Sequence, residues 1–505
     1  MMSANLLAVG LPLLICSLLG MALDRVLLGG PSCGWIERFG RGLMLGLGTA
    51  GSLSMLLDSM GVLITPASLG TLIGVLGVLL ILGARRACPR QPVPEISKLS
   101  RLPNKHIALT VLLILFAVVG LAVAVRSGYL RQSFQFDAVT RWIFKAKVLH
   151  IDGTLLGRIS TDPDFGFTHQ RYPPLVSHIA NFPALVNGHF NDRLATAIFP
   201  WFAVSLVAMV YGALARRVGP LTAALGAAWI ANLPLISYTM APPPGSGAFA
   251  GMADIPLAMF ITAMGLAAID GIEGRRDRAH LEAALALAFA TLTKNEALPL
   301  ILVVGLALAL SVSRGRLRRA LGVTGFAAAA YFILWGHIAA GLPATDENYL
   351  AQLNLDALMA GLDRIQVVAM RLKVELLSLR AWNITWPALL VLLIVGRGVI
   401  KRPVLRFLAI VVLLQFASYA FAYLVTAWTS PAALEMAKRP KLVQGLPDMS
   451  GDQHVIWFLM RLTMSRLLLH IAPLAICMGL LASPLVALVT SPREGERSGV
   501  TPRSG

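Results

Sequence analysis

Carboxylates that flank apolar runs are the first candidates for chemistry in this sequence. Asp137 begins a polar segment, and Arg141 and Lys145 follow at helical spacing on the same face. Asp254 lies in GMADIPLA, at the start of another apolar run. Two carboxylates that face one cavity would suit a general base and a group that orients a substrate. The alternative for each acid is a structural role at a helix N-terminus, with Asp137 paired to Arg141.

Cations in apolar surroundings are candidates for binding an anionic group. Lys294 and Glu296 belong to the short polar sequence TKNE, and Arg466 and His470 are four residues apart at the start of the last long apolar run. An arginine in the hydrocarbon layer costs about 2.5–3.5 kcal/mol on insertion scales, which favours a functional role with an anionic partner. Guanidinium matches phosphate geometry well. The alternative is that Lys294 and Arg466 extend to the lipid headgroups.

The polar segment that contains Asp137 ends in HQRYPPL. Its residues His169, Arg171 and Tyr172 are candidates for substrate contacts, although the two prolines also predict a rigid entry into the next helix. Asp162, Asp164 and His169 carry donor atoms that a divalent metal uses, but this spread set is a weak signal. No other cofactor is predicted, because Walker, dinucleotide, HExxH and GxSxG motifs are absent from the sequence. A donor substrate should therefore arrive through the membrane.

The elements that position these residues are predicted to be membrane-spanning helices. The chain has 505 residues, of which 57% are hydrophobic and 13% charged, and its mean hydropathy is +0.73. Apolar runs of about 18 or more residues recur along its length, which is typical of an all-α polytopic membrane protein. The formal net charge of +18 is explained by basic cytoplasmic loops, so no nucleic-acid partner is expected.

Clusters of lysine and arginine between the apolar runs predict the topology. Threading helices between them gives about thirteen transmembrane helices, with the N-terminus outside and the C-terminus inside. Three outward-facing loops are predicted, at residues 126–171, 341–381 and 426–453. The clusters assigned to the cytoplasm lie at residues 25–41, 85–105, 216–217, 275–278, 314–319 and 397–406, and the tail 491–505 adds three arginines.

Residues 279–312 do not fit a simple crossing, because basic clusters assigned to the cytoplasm lie on both sides. Each arm has about 13 to 16 residues, which at 1.5 Å per residue is too short for a 30 Å hydrocarbon core. The sequence predicts a re-entrant pair whose polar tip, around Lys294, lines a protein cavity at membrane depth. The alternative is a tip that reaches the outer interface.

Five sequence blocks resemble, in the same order, those of the GT-C superfamily of membrane glycosyltransferases. The nearest likeness is to the bacterial branch related to protein O-mannosyltransferases and the lipid A aminoarabinose transferase. The resemblance implies a GT-C-like catalytic module at 106–490, with extra N-terminal transmembrane helices and a basic loop at 1–105. The blocks are FDAVTRWIFKAK at 136–147, FGFTHQRYPPL at 165–175, GMADIPLA at 251–258, TKNEALPL at 293–300 and RLLLHIAPLAI at 466–476.

The resemblance implies an inverting transfer of a sugar from a polyprenyl-phosphate donor to a lipid, glycan or protein acceptor. The reaction would take place on the periplasmic side of the bacterial inner membrane, among membrane lipids. The family's first-loop acid corresponds to Asp137, although Ala138 stands where many members have a second acid. By their chemistry, Asp137 would act as the base, whereas Lys294 and Arg466 would stabilise the leaving phosphate. Substrate contacts are expected from Arg141, Lys145, His169, Arg171, Tyr172, Asp254, Glu296 and His470.

Two other functions fit parts of the sequence. A transporter or flippase of a lipid-linked sugar would share the broken helices and the intramembrane cations, but it should show an internal repeat and midplane polar residues in both halves. The sequence shows no repeat, and its polar groups gather on one predicted side. A non-catalytic membrane scaffold would leave the charged groups near Lys294 and Arg466 unexplained.

Overall fold

The computed structural model describes residues 2–28, 34–86, 103–130, 135–237, 251–276, 278–312, 317–343, 359, 361–396, 401–425 and 451–483. All regular elements assigned within these ranges are helical. The α-helices are α1 Met2–Leu27, α2 Trp35–Ser59, α3 Pro66–Arg86, α4 Asn104–Leu130, α5 Ile143–Asp152, α6 Arg158–Thr161, α7 Leu175–Asn187, α8 Asp192–Thr196, α9 Phe199–Val218, α10 Pro220–Ala231, α11 Pro234–Ser237, α12 Asp254–Glu273, α13 Ala279–Thr291, α14 Leu298–Ser311, α15 Leu317–Tyr331, α16 His337–Gly341, α17 Ile365–Leu376, α18 Leu379–Trp382, α19 Thr385–Val395, α20 Pro403–Val425 and α21 Gly451–Ala482.

Eight helical segments of the described part are long and apolar enough to cross a membrane. This confirms the predicted all-α, multi-pass membrane protein. Four further apolar helices have 10–17 residues, so the predicted number of about thirteen spans is not reached by length and composition. The eight segments are Leu6–Leu27, Pro66–Gly83, Asn104–Leu130, Asp192–Val218, Asp254–Glu273, Leu321–Gly341, Pro403–Val425 and Gln453–Ala482.

The spans separate into inner and outer helices. The most apolar part of α12 is 100% buried, and that of α21 is 89% buried, whereas the corresponding part of α3 is only 11% buried. The large hydrophobic side chains that α3 and α4 expose are mostly leucine and valine. A helix that is apolar all round suits either a protein interior or a lipid environment. We therefore assign α12 and α21 to the core of the bundle, and α3 and α4 to its lipid-facing periphery.

The N-terminal helices α1 and α2 are packed into the bundle. The backbones of the two helices approach each other so closely that a Cβ atom added to Gly46 would lie 1.7 Å from the carbonyl oxygen of Cys16. A Cβ atom on Gly20 would lie 1.8 Å from the carbonyl oxygen of Gly42. Small residues that allow close backbone approach are typical of helix contacts in membranes. Helix α2 also packs on α7 and α9, so it contributes to the core of the molecule.

Helices α13 and α14 are the two short arms predicted from the sequence. They have 13 and 14 residues, about 20 Å each at 1.5 Å per residue. The segment between them contains a 3₁₀ turn at Asn295–Ala297. Lys294 is only 4% exposed, so its side chain does not extend to a headgroup layer. Both arms pack on α15, and in addition α13 packs on α12 and α14 on α20, which places the tip inside the protein.

The first predicted outer loop is largely ordered into short helices. A π-helical turn at Ala138–Trp142 leads into α5, and a 3₁₀ turn at Pro163–Thr168 follows α6. The other two predicted loops are described only in part, because residues 344–358 and 426–450 lie outside the described residues. The predicted cytoplasmic tail 491–505 also lies outside them.

Five arginines and five acids form an ion-pair network where α12 ends, within the described part of the chain. Arg41 pairs with Asp24 at 2.6 Å and with Glu282 at 2.7 Å, which joins α1, α2 and α13. These arginines come from loops predicted to face the cytoplasm, and the structure gathers them at one end of the bundle. We call this set the Asp270 network: Asp24, Glu37, Arg41, Arg216, Arg217, Asp270, Glu273, Arg275, Arg276 and Glu282.

Candidate functional site

Six ionisable side chains from four distant segments meet at the opposite end of α12. Arg466, on α21, connects two acids that are far apart in the sequence. Its Nη1 atom lies 2.6 Å from Oδ2 of Asp137, and its Nε atom lies 2.9 Å from Oδ2 of Asp254. We call the set the Asp254 cluster: Asp137, Asp254, Lys294, Glu296, Arg466 and His470.

Asp254 is the centre of this cluster. Its Oδ1 atom accepts a hydrogen bond from Nζ of Lys294 at 3.0 Å and lies 2.9 Å from Nε2 of His470. Together with Arg466, three basic side chains therefore surround one carboxylate whose side chain is 4% exposed. A carboxylate saturated by such partners orients the groups around it and has little capacity to accept another proton. We therefore assign Asp254 a positioning role.

Glu296 gives the tip between α13 and α14 a second contact with the cluster. Its Oε1 atom lies 3.0 Å from Nζ of Lys294 and accepts a hydrogen bond from the Tyr172 hydroxyl at 3.2 Å. The backbone carbonyl of Glu296 accepts a hydrogen bond from Gln415 at 3.0 Å. These bonds connect the first loop, the tip and α20, so the position of Lys294 is fixed from three sides.

Asp137 is the more accessible of the two aspartates, with a side chain that is 14% exposed. It immediately precedes the π-helical turn, and Nε of Arg141 lies 3.6 Å from its Oδ1 atom. Burial alone would raise the pKa of Asp137, but the charges of Arg466 and Arg141 lower it from 3.8 to about 2. The carboxylate is therefore ionised at neutral pH and is held by cations.

The structure gives Lys145, His169 and Arg171 contacts outside the Asp254 cluster. Nζ of Lys145 donates to the carbonyl oxygens of His169 at 2.9 Å and Tyr172 at 3.3 Å. The guanidinium of Arg171 donates to the carbonyl oxygen of Leu342 at 2.6 and 2.9 Å. A single helix face for Asp137, Arg141 and Lys145 was expected from regular α-helical spacing. The π-helical turn alters that spacing, and Lys145 instead holds the end of the loop.

The donor atoms predicted for a divalent metal are not gathered. In the ranges given above, no three histidine, cysteine, aspartate or glutamate side chains form a group that could hold a metal ion. Oδ1 of Asp162 accepts the backbone N–H of Asp164 at 2.9 Å and so caps the 3₁₀ turn. The local turn explains why these acids occur together.

Two contributors to the cluster's surroundings were missed in the sequence. Gln415 and Tyr419 lie on α20, and the Tyr419 hydroxyl is 3.1 Å from Nδ1 of His470. They occur at i and i+4 in a largely apolar helix, a spacing that places polar groups on one face. That pattern was the available signal. Asp58 of α2 was also missed, although its carboxylate accepts hydrogen bonds from the Thr154 hydroxyl at 2.5 Å and from the Leu155 amide at 3.2 Å.

The chemistry available in the cluster follows from its balance of charge. When Arg141 is included, three carboxylates face three permanent cations. His470 is a fourth basic side chain, which is charged only when it is protonated. The side chains of Asp137, Arg141, Glu296 and Arg466 are each 13–14% exposed, whereas His470 is fully buried. An entering anion could exchange partners with the carboxylates, and a carboxylate released in this way could accept a proton.

No protein-family profile, curated protein or solved structure matches this chain in the three comparisons.

Proposed function

We propose that the Asp254 cluster is the active site of a membrane glycosyltransferase. The donor would be a sugar linked to a polyprenyl phosphate, and the acceptor a hydroxyl group of a lipid, glycan or protein. The observation that carries the proposal is the double contact of Arg466 with Asp137 and Asp254, beside Lys294. It places a partly exposed carboxylate next to fixed cations at one end of an apolar bundle, as base-assisted displacement of a lipid phosphate requires.

Each bond change has a candidate residue. The acceptor oxygen attacks the anomeric carbon as the bond from that carbon to the phosphate oxygen breaks, and the acceptor proton passes to Asp137. The electron pair leaves with the polyprenyl phosphate. Arg466 and Lys294 stabilise the charge that develops on that phosphate, because guanidinium and ammonium groups bind phosphate oxygens strongly. Attack opposite the leaving group inverts the anomeric carbon, and the proton on Asp137 is later released to water.

Because the pKa of Asp137 is low, the donor phosphate has a second role in the proposed reaction. A carboxylate with a pKa of about 2 is a weak base at neutral pH. When the phosphate takes Arg466 as its partner, Asp137 loses its strongest opposite charge, and its pKa rises. Binding of the donor therefore prepares the base for the reaction, and a hydroxyl that arrives before the donor encounters an unreactive carboxylate.

The proposal includes a topology. It counts α2 and the four shorter apolar helices as membrane helices in addition to the eight candidate spans, which would make thirteen. We propose that the Asp254 cluster faces the periplasm of a bacterial inner membrane and that the Asp270 network faces the cytoplasm. A lipid-linked donor would then approach the cluster from the bilayer.

One observation favours a lipid-linked-sugar transporter as the second candidate. Charged groups from distant helices lock together at both ends of α12, in the Asp254 cluster and in the Asp270 network. A transporter that works by alternating access needs a closure of this kind on each side of its substrate site. A transporter would move the intact donor, whereas a transferase consumes it, and this difference separates the two proposals.

The decisive experiment is a transfer assay with the purified protein. A radiolabelled polyprenyl-phosphate sugar is supplied with candidate acceptors, with and without a chelator, and both products are measured. Asp137→Asn should abolish label transfer and the release of polyprenyl phosphate while the protein elutes as a folded peak. Asp164→Asn is the matched control, since this exposed carboxylate lies in the same loop. Normal turnover by Asp137→Asn would exclude Asp137 as the base, and intact donor crossing a vesicle membrane would favour transport.

A further inference from the structure

A second cationic site lies on α21, beyond the Asp254 cluster. Helix α17 packs on α21 there, and the Arg371 guanidinium lies over the ring of Trp457, with Cζ 5.5 Å from the ring centroid. Nη2 of Arg371 is 3.1 Å from Oε2 of Glu375. The other oxygen of Glu375 accepts the indole N–H of Trp382 at 3.1 Å. Arg371 is thus held in place by an aromatic ring and by a carboxylate that is itself anchored.

The positive charge of this site exceeds its negative charge. Arg461 follows Trp457 by one helical turn and is exposed, and the described part of the chain gives its side chain no hydrogen bond or ion pair. Burial lowers the pKa of Arg371; Glu375 opposes this effect, and the charge of Arg461 adds to it. The Nε–H of Arg371 is buried without an acceptor. Of these two guanidinium groups, only that of Arg371 has a carboxylate partner in the described part, and this excess of positive charge favours binding of an anion.

Large apolar side chains are exposed near the site. Four large hydrophobic residues of α17, α18 and the turn between them are 46–65% exposed: Ile365, Val374, Leu377 and Leu379. Short helices that expose such large apolar side chains suit the boundary between headgroups and acyl chains. Trp457 lies near the start of the span Gln453–Ala482, where aromatic residues mark that boundary. We therefore expect the site to be surrounded by lipid.

We propose that Arg371, Arg461 and Trp457 bind the phosphate of a membrane-lipid headgroup. The exposed apolar side chains of α17 and α18 would contact the acyl chains of the same lipid. Arg466 cannot be the anchor for this phosphate without leaving Asp137 and Asp254. The sites are nevertheless neighbours. Arg461 and Arg466 are five residues apart on α21, and Thr463 between them is hydrogen-bonded to the Tyr423 hydroxyl of α20.

A binding measurement tests this proposal without any transfer reaction. Delipidated protein in a neutral detergent is titrated with dioctanoyl phosphatidylglycerol, and occupancy is read by native mass spectrometry. Arg461→Gln should weaken binding about tenfold, because it removes one of two guanidinium partners of the phosphate. Lys373→Gln should change it less than about twofold, since this exposed lysine lies on the same helix as Arg371 but is not part of the site. Arg371→Lys, which keeps the charge and loses the forked geometry, should also weaken binding.

Three results would overturn the proposal. Unchanged phosphatidylglycerol affinity in Arg461→Gln would remove the site. Equal binding of dioctanoylglycerol, which has no phosphate, would show that only the exposed apolar side chains bind. Displacement of the lipid by inorganic phosphate at a similar concentration would show that the acyl chains contribute nothing and that the site takes a free anion. The proposed active site is untouched by each result, because no readout depends on Asp137 or Arg466.

Discussion

Arg466 is the residue on which the proposed active site depends. It contacts one carboxylate before the first loop helices and another at the start of α12, and no other described side chain joins these two acids directly. A buried charge that loses its partner costs about 3–5 kcal/mol, although a complete pair contributes little net stability. We therefore expect a single substitution that leaves a charge unpaired to destabilise the protein more than a pair of substitutions that removes one charge of each sign. This property distinguishes contributions to stability from contributions to chemistry.

The ion pairs of Asp137 predict a specific pH dependence of stability. Its folded pKa of about 2 lies below the ordinary 3.8, so the ionised form is stabilised by folding. This contribution is fully present above pH 3.8 and is lost as pH falls toward 2. We expect the difference in thermal midpoint between the wild type and Asp137→Asn to be constant from pH 8 to about 4.5 and to shrink below about pH 4. Thermal unfolding at each pH measures this difference, and a difference that disappears near pH 6 would contradict it.

The buried position of Lys294 predicts how balanced and unbalanced variants differ. Lys294→Met leaves Glu296 and Asp254 each with one partner fewer, so we expect a loss of about 3–5 kcal/mol. Lys294→Met combined with Glu296→Gln removes one charge of each sign and should recover part of that loss. Titration with sodium dodecyl sulfate measures both values.

Lys373→Met serves as the control for Lys294, since this lysine is exposed. It should remain within about 0.5 kcal/mol of the wild type. A double variant that is as unstable as the two single variants added together would show that Lys294 and Glu296 do not interact.

At the scale of elements, α1 packs closely on α2. This packing positions the face of α2 that anchors the first loop. A Cβ atom on Gly46 would overlap the backbone of Cys16 in α1. Backbone atoms cannot move aside as a flexible side chain can, so Gly46→Ala must separate the helices. Asp58 on α2 would move with them and would release the Thr154 and Leu155 contacts.

We expect Gly46→Ala to lower the unfolding free energy by about 1–3 kcal/mol through overpacking. Gly74→Ala, on α3, is the matched control, because no heavy atom lies within 4 Å of a Cβ at that position. It should be neutral or slightly stabilising, as alanine favours helix more than glycine does. Thermal unfolding of both variants in the same detergent provides the measurement, and equal midpoints would contradict the close packing.

The sequence predicted the elements better than their contacts. The short arms α13 and α14 were predictable because their length cannot cover a hydrocarbon core, and Lys294 because a charge in apolar surroundings needs a partner. The displacement of Lys145 was not predictable, since a π-helical turn leaves no clear mark in the sequence. Nor was the burial of α2, which follows from glycines that meet α1 across a distant contact.

At the scale of the molecule, α12 connects two charged regions of different character. Asp254 and Asp270 are separated by sixteen residues, about 24 Å along the helix. The Asp270 network joins α1, α2, α9, α12 and α13, so it closes one end of the bundle. The Asp254 cluster keeps partly exposed acids and cations at the other end. This asymmetry is what a site open to one side of a membrane requires.

The proposed orientation can be tested by cysteine labelling in whole cells. Asp164→Cys lies in the exposed part of the first loop, in the 3₁₀ turn that packs against the π-helical turn after Asp137. Arg318→Cys lies at the exposed start of α15, next to the end at which α14 stops. With Cys33 and Cys88 replaced by serine, the remaining Cys16 and Cys477 are buried and should not react.

A membrane-impermeant maleimide should label Asp164→Cys in cells whose outer membrane alone is opened, whereas Arg318→Cys should react only after the inner membrane is disrupted. The two positions lie on opposite sides because α14 runs from the tip beside Asp254 toward the far end of the bundle. The reverse pattern would place the Asp254 cluster on the cytoplasmic side and would rule out a periplasmic transferase. Labelling of both positions in intact inner membranes would mean that one site is reached through the protein, as expected of a transporter.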